Sequence, residues 1–317
     1  MILVVCLNPA LDITHQVMAV DWAGVNRPGA VHTRPGGKGL NVARTLHAVG
    51  AGVLVMGLAG GTTGAAVTGA LAGLGVPAAF TPAAGETRRT FTVVDGRAGT
   101  TALFSEPGPE ISAAEYTLFT GAYAAALPGA AAVVLSGSLP PGVPADAYAV
   151  LGAMAAAAGV PVLLDAHGEP LRLGAAAGPA IVKPNLAELE ALAGRSLSTA
   201  RGADRRAVAS AARELRAAGA QAVVVTLGPD GLHAVTGDGS WDAAPPAVAA
   251  GNPTGAGDAV AAGLAHGLIL GRPWDERLRH AVALGTASAA APVAGEFSHS
   301  HYSDLLAQVR VGRSEMH

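Results

Sequence analysis

A doubly wound α/β fold, with a mostly parallel sheet between helical layers, is what the sequence predicts, and two regularities along its 317 residues predict it. Short runs rich in Val, Ile and Leu recur, as strands buried on both faces require, and Ala-rich stretches of helical length and spacing separate them. The strand candidates are residues 2–7, 53–58, 131–135, 160–164, 180–182 and 222–226, and the clearest helices cover 144–158 and 204–218. Half of the residues are apolar, enough to bury a large core, and no segment reads as a linker, so a single domain over 1–317 is expected. Two regions break the rhythm, 12–34 and 88–105. There, alternating residues such as Thr90, Thr92 and Val94 predict short, half-exposed strands in a small separate sheet. Beyond Pro246 the pattern is largely helical.

Composition excludes several partners. A net charge of −3 leaves no dense basic surface, so neither nucleic acid nor an anionic membrane is expected to bind. No window approaches the roughly 18 uninterrupted apolar residues that span a bilayer. The opening run carries no preceding Lys or Arg and meets Asp12 before a secretory core could form, so it reads as a first strand. Cys6 is the single cysteine and lies inside that run, which makes it a core residue and suits a reducing, cytoplasmic location.

The segment most informative about chemistry is Gly251-Asn252-Pro253-Thr254-Gly255-Ala256-Gly257-Asp258, which runs at once into a stretch of helical composition. Small residues let backbone N–H groups approach an anion, and a helix N-terminus adds partial positive charge, so a phosphoryl group could sit there. Asp258 then falls in the first helical turn. A carboxylate beside an anion cradle needs another task, and taking the proton of an attacking hydroxyl is one; an ordinary N-cap is the structural alternative.

A second cluster, Arg34-Pro35-Gly36-Gly37-Lys38-Gly39-Leu40-Asn41, also enters a helix, expected over 40–49. It lacks P-loop spacing, and no GxGxxG fingerprint occurs in the chain. Alone it would pass for a tight turn with an exposed lysine. Yet the chain has eighteen arginines and only two lysines, Lys38 and Lys183, both in unusual loops. A lysine kept where composition favours arginine marks a site needing a compact point charge, as phosphate sites do.

Lys183 opens Lys183-Pro184-Asn185-Leu186-Ala187-Glu188. At a helix start, Asn185 and Glu188 offer two oxygen donors on one side, suited to hydrated Mg2+, and the same spacing is that of a structural capping box. The fourth element, Thr226-Leu227-Gly228-Pro229-Asp230-Gly231, follows a strand and reads as a turn at its carboxyl end, where open α/β sheets place ligands. A plain hairpin turn fits equally.

In this order the four elements resemble the PfkB branch of the ribokinase superfamily. The GGKGLN cluster resembles its first signature, residues 252–258 its second, and Asn185 to Glu188 its NxxE magnesium motif; further similar stretches are Asn8-Pro9-Ala10-Leu11-Asp12, Val25-Asn26-Arg27, Gly85-Glu86-Thr87-Arg88, Ser136-Gly137-Ser138-Leu139-Pro140-Pro141-Gly142 and Leu164-Asp165. Within the family the similarity is greatest to tagatose-6-phosphate kinases and 1-phosphofructokinases. It implies a ribokinase-like fold with a small β lid at 12–34 and 88–105 that also forms a homodimer interface. It further implies an ATP-dependent kinase that phosphorylates a hydroxyl of a ketohexose phosphate to give a bisphosphate.

By the same resemblance Asp258 is the catalytic base, and the backbone of Gly255, Ala256 and Gly257 is the anion hole. Asp12, Gly37, Lys38, Asn41 and Ser138 hold the sugar, with Arg27 and Arg88 near its phosphate. Lys183, Asn185, Thr226, Gly228 and Gly231 serve ATP, and Asn185 with Glu188 serves Mg2+. Two readings compete: a kinase of an unphosphorylated sugar or nucleoside, and a sensor of sugar phosphates without transfer chemistry. The chain departs from some relatives at Leu103, where they carry a basic residue, and at Ala166 and His167, where they carry small hydroxyl residues.

Overall fold

The computed structural model describes residues 1–200, 202–246, 254–291 and 297–314. Its first third runs β1 (Ile2–Cys6), β2 (Ala10–Val17), β3 (Ala30–Gly36), α1 (Lys38–Ala48), β4 (Val53–Ala59), α2 (Gly61–Gly73), β5 (Ala78–Pro82), β6 (Arg88–Asp95) and β7 (Thr100–Ser105). Next come α3 (Ala113–Ala126), β8 (Ala132–Ser136), α4 (Ala147–Ala157), β9 (Val162–Asp165), α5 (Gly168–Ala176), β10 (Ile181–Val182) and α6 (Leu186–Ala193). A short ribbon of β11 (Ser198–Thr199) and β12 (Gly202–Ala203) precedes α7 (Arg205–Ala217) and β13 (Val223–Thr226). The chain closes with β14 (Leu232–Thr236), β15 (Gly239–Ala244), α8 (Ala256–Ile269), α9 (Trp274–Ala290), α10 (His299–Leu306) and β16 (Arg310–Arg313).

Every one of the six apolar runs becomes a strand of one ten-stranded sheet, in the order β16-β15-β14-β13-β10-β9-β8-β1-β4-β5. From β13 to β5 all neighbours are parallel, while β14, β15 and β16 add on antiparallel. Alternate residues of β1 supply two cores. Leu3 and Val5 join Phe119, Leu151, Leu171 and Val208 on the side of α3, α4, α5 and α7. Ile2 and Val4 join Leu40, Leu71, Leu264 and Leu278 on the side of α1, α2, α8 and α9. Burying both faces removes each such side chain from water, worth about 1.5–3 kcal/mol apiece, which is why these strands read as unbroken apolar runs.

The start of α1, the strands β14 and β15, and the end of the chain differ from the sequence expectation. Helix α1 begins at Lys38, two residues early, because Gly37 takes φ 96° and caps it. The largely helical end also returns to the sheet: β16, with the sequence RVGR, pairs with β15 at the edge, where a polar strand carries no periodic apolar signal.

The two irregular regions supply a separate four-stranded sheet, β3-β2-β6-β7. Strands β2 and β6 run parallel and the outer pairs antiparallel, with Asp12 opposite both Arg34 and Thr90. Met18, Trp22, Val25, Val31, Leu103 and Phe104, all in this sheet or its hairpin loop, are exposed. Among the described residues no helix is long and apolar enough to cross a membrane.

Candidate active site

Because seven strands run parallel, their carboxyl ends share one edge of the sheet. Cys6, Ser136, Asp165, Val182 and Thr226 end there, and helices α1, α6 and α8 start there. This is the edge at which open α/β sheets bind ligands.

Helix α8 carries Asp258 in its first turn, buried to 7% exposure, behind Gly255, which caps the helix in the left-handed region at φ 83°. A side chain at residue 255 would be strained in that conformation. The first N–H groups of any helix lack intrahelical acceptors, so Gly255, Ala256 and Gly257 present donors beside the carboxylate. Residues 251–253 of the same cluster, Asn252 among them, lie outside the described residues.

The second glycine cluster faces the first. Asn41 donates from Nδ2 to Oδ2 of Asp258 at 2.9 Å. Close packing of α1 on β1 makes this possible: a Cβ on Gly39 would lie 2.6 Å from Cys6 Cβ. Cys6 is buried in that contact, and burial raises its thiol pKa to about 11, consistent with a packing residue.

Both lysines of the chain converge on one carboxylate. Asp165, at the end of β9 and fully buried, lies 3.3 Å from Lys38 Nζ through Oδ1 and 3.3 Å from Lys183 Nζ through Oδ2. Lys38 also donates to Glu188 Oε1 at 3.1 Å. Lys183 Nζ is 3.7 Å from where a Cβ of Gly257 would stand, so its ammonium borders the α8 N-terminus. Burial works against the charge of Lys38, but Asp165, Glu188 and Asp258 outweigh it and raise its pKa. For Asp258, burial and then the Asp165 charge push the carboxyl up to about 7, against the pull of Asn41, Lys38 and Lys183.

Asn185 and Glu188 form a reciprocal capping box on α6: Glu188 N–H donates to Asn185 Oδ1 and Asn185 N–H to Glu188 Oε2, each at 2.8 Å. The capping alternative is therefore realised, yet it leaves Glu188 Oε1 turned to Lys38. Among the described residues no three His, Cys, Asp or Glu side chains cluster for a metal. Glu188 Oε1 is a hard oxygen of the kind that suits Mg2+, which keeps waters and takes substrate phosphates as its other ligands, and here Lys38 is its partner.

Thr226 bridges to Asn185 in parallel, and its N–H donates to Pro184 O at 3.0 Å, so the Thr226–Gly231 turn sits beside the start of α6. Gly228 and Gly231 both have positive φ, 59° and 85°, and a Cβ on Gly231 would meet Ala243 O at 2.0 Å. The segment is at once a turn into antiparallel β14 and a loop on the carboxyl edge.

On the other side of Asp258 stands the small sheet. The Asp12 carboxylate occupies the space a Cβ of Gly36 would fill, and burial raises its pKa although Thr90, Arg88 and Arg44 oppose the shift. Arg88 donates to Asn8 O at 3.1 Å and to Ser105 Oγ at 2.7 Å, and Asn8 Nδ2 donates to Ser138 Oγ at 3.1 Å. Gly37 lies over Asn8 and Pro9. Arg27 stands apart, exposed in the hairpin loop beyond the Gln16–Ala30 pair, at the end of the hairpin away from Asp12. Asp165 is the residue that sequence reasoning gave no role. The available signal was an acid closing an apolar run at a carboxyl edge.

The profile described as "pfkB family carbohydrate kinase" matches residues 3–299. A 1-phosphofructokinase of Xanthomonas campestris pv. campestris is 38% identical over 269 residues, covering 84% of this chain and 83% of the relative. Phosphofructokinase-2 of Escherichia coli in complex with fructose-6-phosphate superposes with a TM-score of 0.88 at 31% identity, covering 97% of this chain and 98% of that one. Its tetrameric inhibited form gives 0.89 at the same identity and coverage.

Proposed function

The chain belongs to the pfkB family of carbohydrate kinases, and we propose that it transfers the γ-phosphoryl group of ATP to a hydroxyl of a ketohexose phosphate, giving a bisphosphate. The observation that carries this reading is the buried carboxylate of Asp258, held by Asn41 at the N-terminus of α8 with Lys183 alongside. The 1-phosphofructokinase relative and the fructose-6-phosphate complex of the Escherichia coli enzyme support a ketohexose phosphate acceptor.

In this mechanism Asp12, Lys38 and Asn41 orient the sugar over Gly37, with Ser138 behind Asn8. The acceptor hydroxyl loses its proton to Asp258 as its oxygen bonds to the γ-phosphorus. The bond from that phosphorus to the β–γ bridging oxygen breaks, and its electron pair leaves with ADP. The N–H groups of Gly255, Ala256 and Gly257, with the Lys183 ammonium, stabilise charge spreading over the transferring oxygens. Thr226, Gly228 and Gly231 form the loop assigned to the nucleotide. Glu188, fixed by Asn185, would hold Mg2+, which when bound neutralises phosphate charge.

Three finer features belong to the same proposal. Fructose 1-phosphate or tagatose 6-phosphate is the acceptor, with Arg88 directed to its phosphate; Arg27, exposed in the hairpin loop away from Asp12, does not stand with it. The small sheet acts as a lid and pairs two chains, covering Trp22, Val25, Val31, Leu103 and Phe104; the tetrameric form of the Escherichia coli relative supports oligomerisation in general. The enzyme works in the cytoplasm.

A coupled ADP-release assay with Mg2+ and ATP tests the reading against fructose 1-phosphate, tagatose 6-phosphate, fructose 6-phosphate, fructose, ribose and adenosine. The phosphorylated ketohexoses should be turned over with the highest kcat/KM. Preference for ribose, fructose or adenosine would favour the unphosphorylated-substrate alternative, and no turnover at all would favour a sensor.

A further inference from the structure

Asn41 can serve Asp258 only if its amide is turned the right way, and one residue decides that. Arg44 lies three residues on, on the same face of α1, buried to 8% exposure. Its Nη1 donates to Asn41 Oδ1 at 3.5 Å, while Asn41 Nδ2 donates to Asp258 Oδ2 at 2.9 Å. A guanidinium has donors and no acceptor, and an ionised carboxylate has acceptors and no donor. The amide oxygen must therefore face Arg44 and the amide nitrogen Asp258. Arg44 in turn lies within electrostatic reach of Asp12 and Arg34, cross-strand partners in the small sheet.

We infer that Arg44 is a positioning residue for the transfer step: it fixes the orientation of the Asn41 amide, and through it the ionised form of the base. This rests on the reading of Asp258 given above. Without the guanidinium the amide is free to rotate by half a turn. Its oxygen then meets the carboxylate, an arrangement tolerated only when Asp258 is protonated. The other charged groups facing Asp258 are Asp165 at the end of β9, Lys38 in α1 and Lys183 after β10, and all three stay in place. The loss of Arg44 therefore reads out as a change in the proton affinity of the base.

The test compares wild type with Arg44→Met and Arg44→Lys in steady-state phosphoryl transfer across the acid limb of the pH profile, with melting curves to correct for folded fraction. Arg44→Met should lower kcat about ten- to a hundredfold, the range typical of outer-shell partners. It should move the acid limb to higher pH and leave the KM for ATP unchanged. Arg44→Lys, which keeps a charged donor, should return the limb toward its wild-type position. Where Arg44→Met does not fold, Arg44→Leu, which likewise offers Asn41 no donor, carries the same expectation. An unmoved limb with kcat following folded fraction, or a lysine variant as impaired as the neutral one, overturns the inference. Wild type without transfer to any sugar phosphate would instead sink the reading on which it rests.

Discussion

The side-chain amide of Asn41 donates to the Asp258 carboxylate across 2.9 Å, although 217 residues separate the two in the chain. This contact joins the glycine clusters that open α1 and α8, so the residues assigned to the sugar and those assigned to the transferring phosphoryl group form one site. Its geometry depends on small side chains beneath it, above all Gly39 against Cys6.

Activity should fall in acid. Burial and the Asp165 charge raise the Asp258 carboxyl to about 7, and only the ionised form accepts a proton. In the free enzyme kcat/KM should therefore drop by roughly tenfold per unit below about pH 7. A pH profile with sugar phosphate below its KM checks this; a flat response down to about pH 5 would contradict it.

The same shift has a consequence for stability. A carboxyl whose folded pKa lies above its unfolded value binds more protons in the native state, so its contribution is lost as pH rises from about 4 to about 7. Asp258→Asn removes that pH-dependent contribution and also leaves the charges of Lys38, Lys183, Asp165 and Glu188 in balance. Thermal melts should show the variant with a higher Tm than wild type near about pH 8, the gap narrowing toward about pH 5.

Asp165→Asn should be costly in both stability and activity. It leaves Lys183, 3% exposed, without its carboxylate, and breaking a buried pair in this way typically costs about 3–5 kcal/mol. Urea denaturation should report a loss of that order. A change within experimental error would mean that the lysines do not depend on Asp165.

Glu188→Gln separates the structural from the metal reading of the NxxE motif. Its amide oxygen can still accept from Asn185 N–H, so α6 should stay capped, and the Tm should fall only modestly for the lost ion pair to Lys38, which keeps Asp165. The Mg2+ concentration needed for half-maximal transfer should rise about tenfold or more. Magnesium titrations at saturating ATP measure it.

How much of this was legible in the sequence followed from how each part is buried. Six of the seven parallel strands were clear because both of their faces meet core, whereas β5, at the end of the sheet, is partly exposed. Strands β14, β15 and β16 did not declare themselves: His233, Asp242 and the arginines of β16 interrupt any apolar run, and their pairing is set by neighbours distant in sequence. Lys38 and Lys183 stood out by their rarity, but their common partner did not, since Asp165 lies in no motif with a spacing of its own. Asn185 and Glu188 carried two readings from the sequence. The structure shows the cap using one carboxylate oxygen, with the other directed to Lys38. Arg44 carried no signal in the sequence, because its task depends on a contact between side chains one helical turn apart.

The most direct test of the central claim is a rapid-quench, single-turnover measurement of γ-phosphoryl transfer from ATP to the preferred sugar phosphate, comparing wild type with Asp258→Asn at matched ATP occupancy. If the residue 258 carboxylate takes the hydroxyl proton, the variant should bind ATP as wild type does and lose about two to four orders of magnitude in the transfer rate. A transfer rate close to wild type would contradict the assignment.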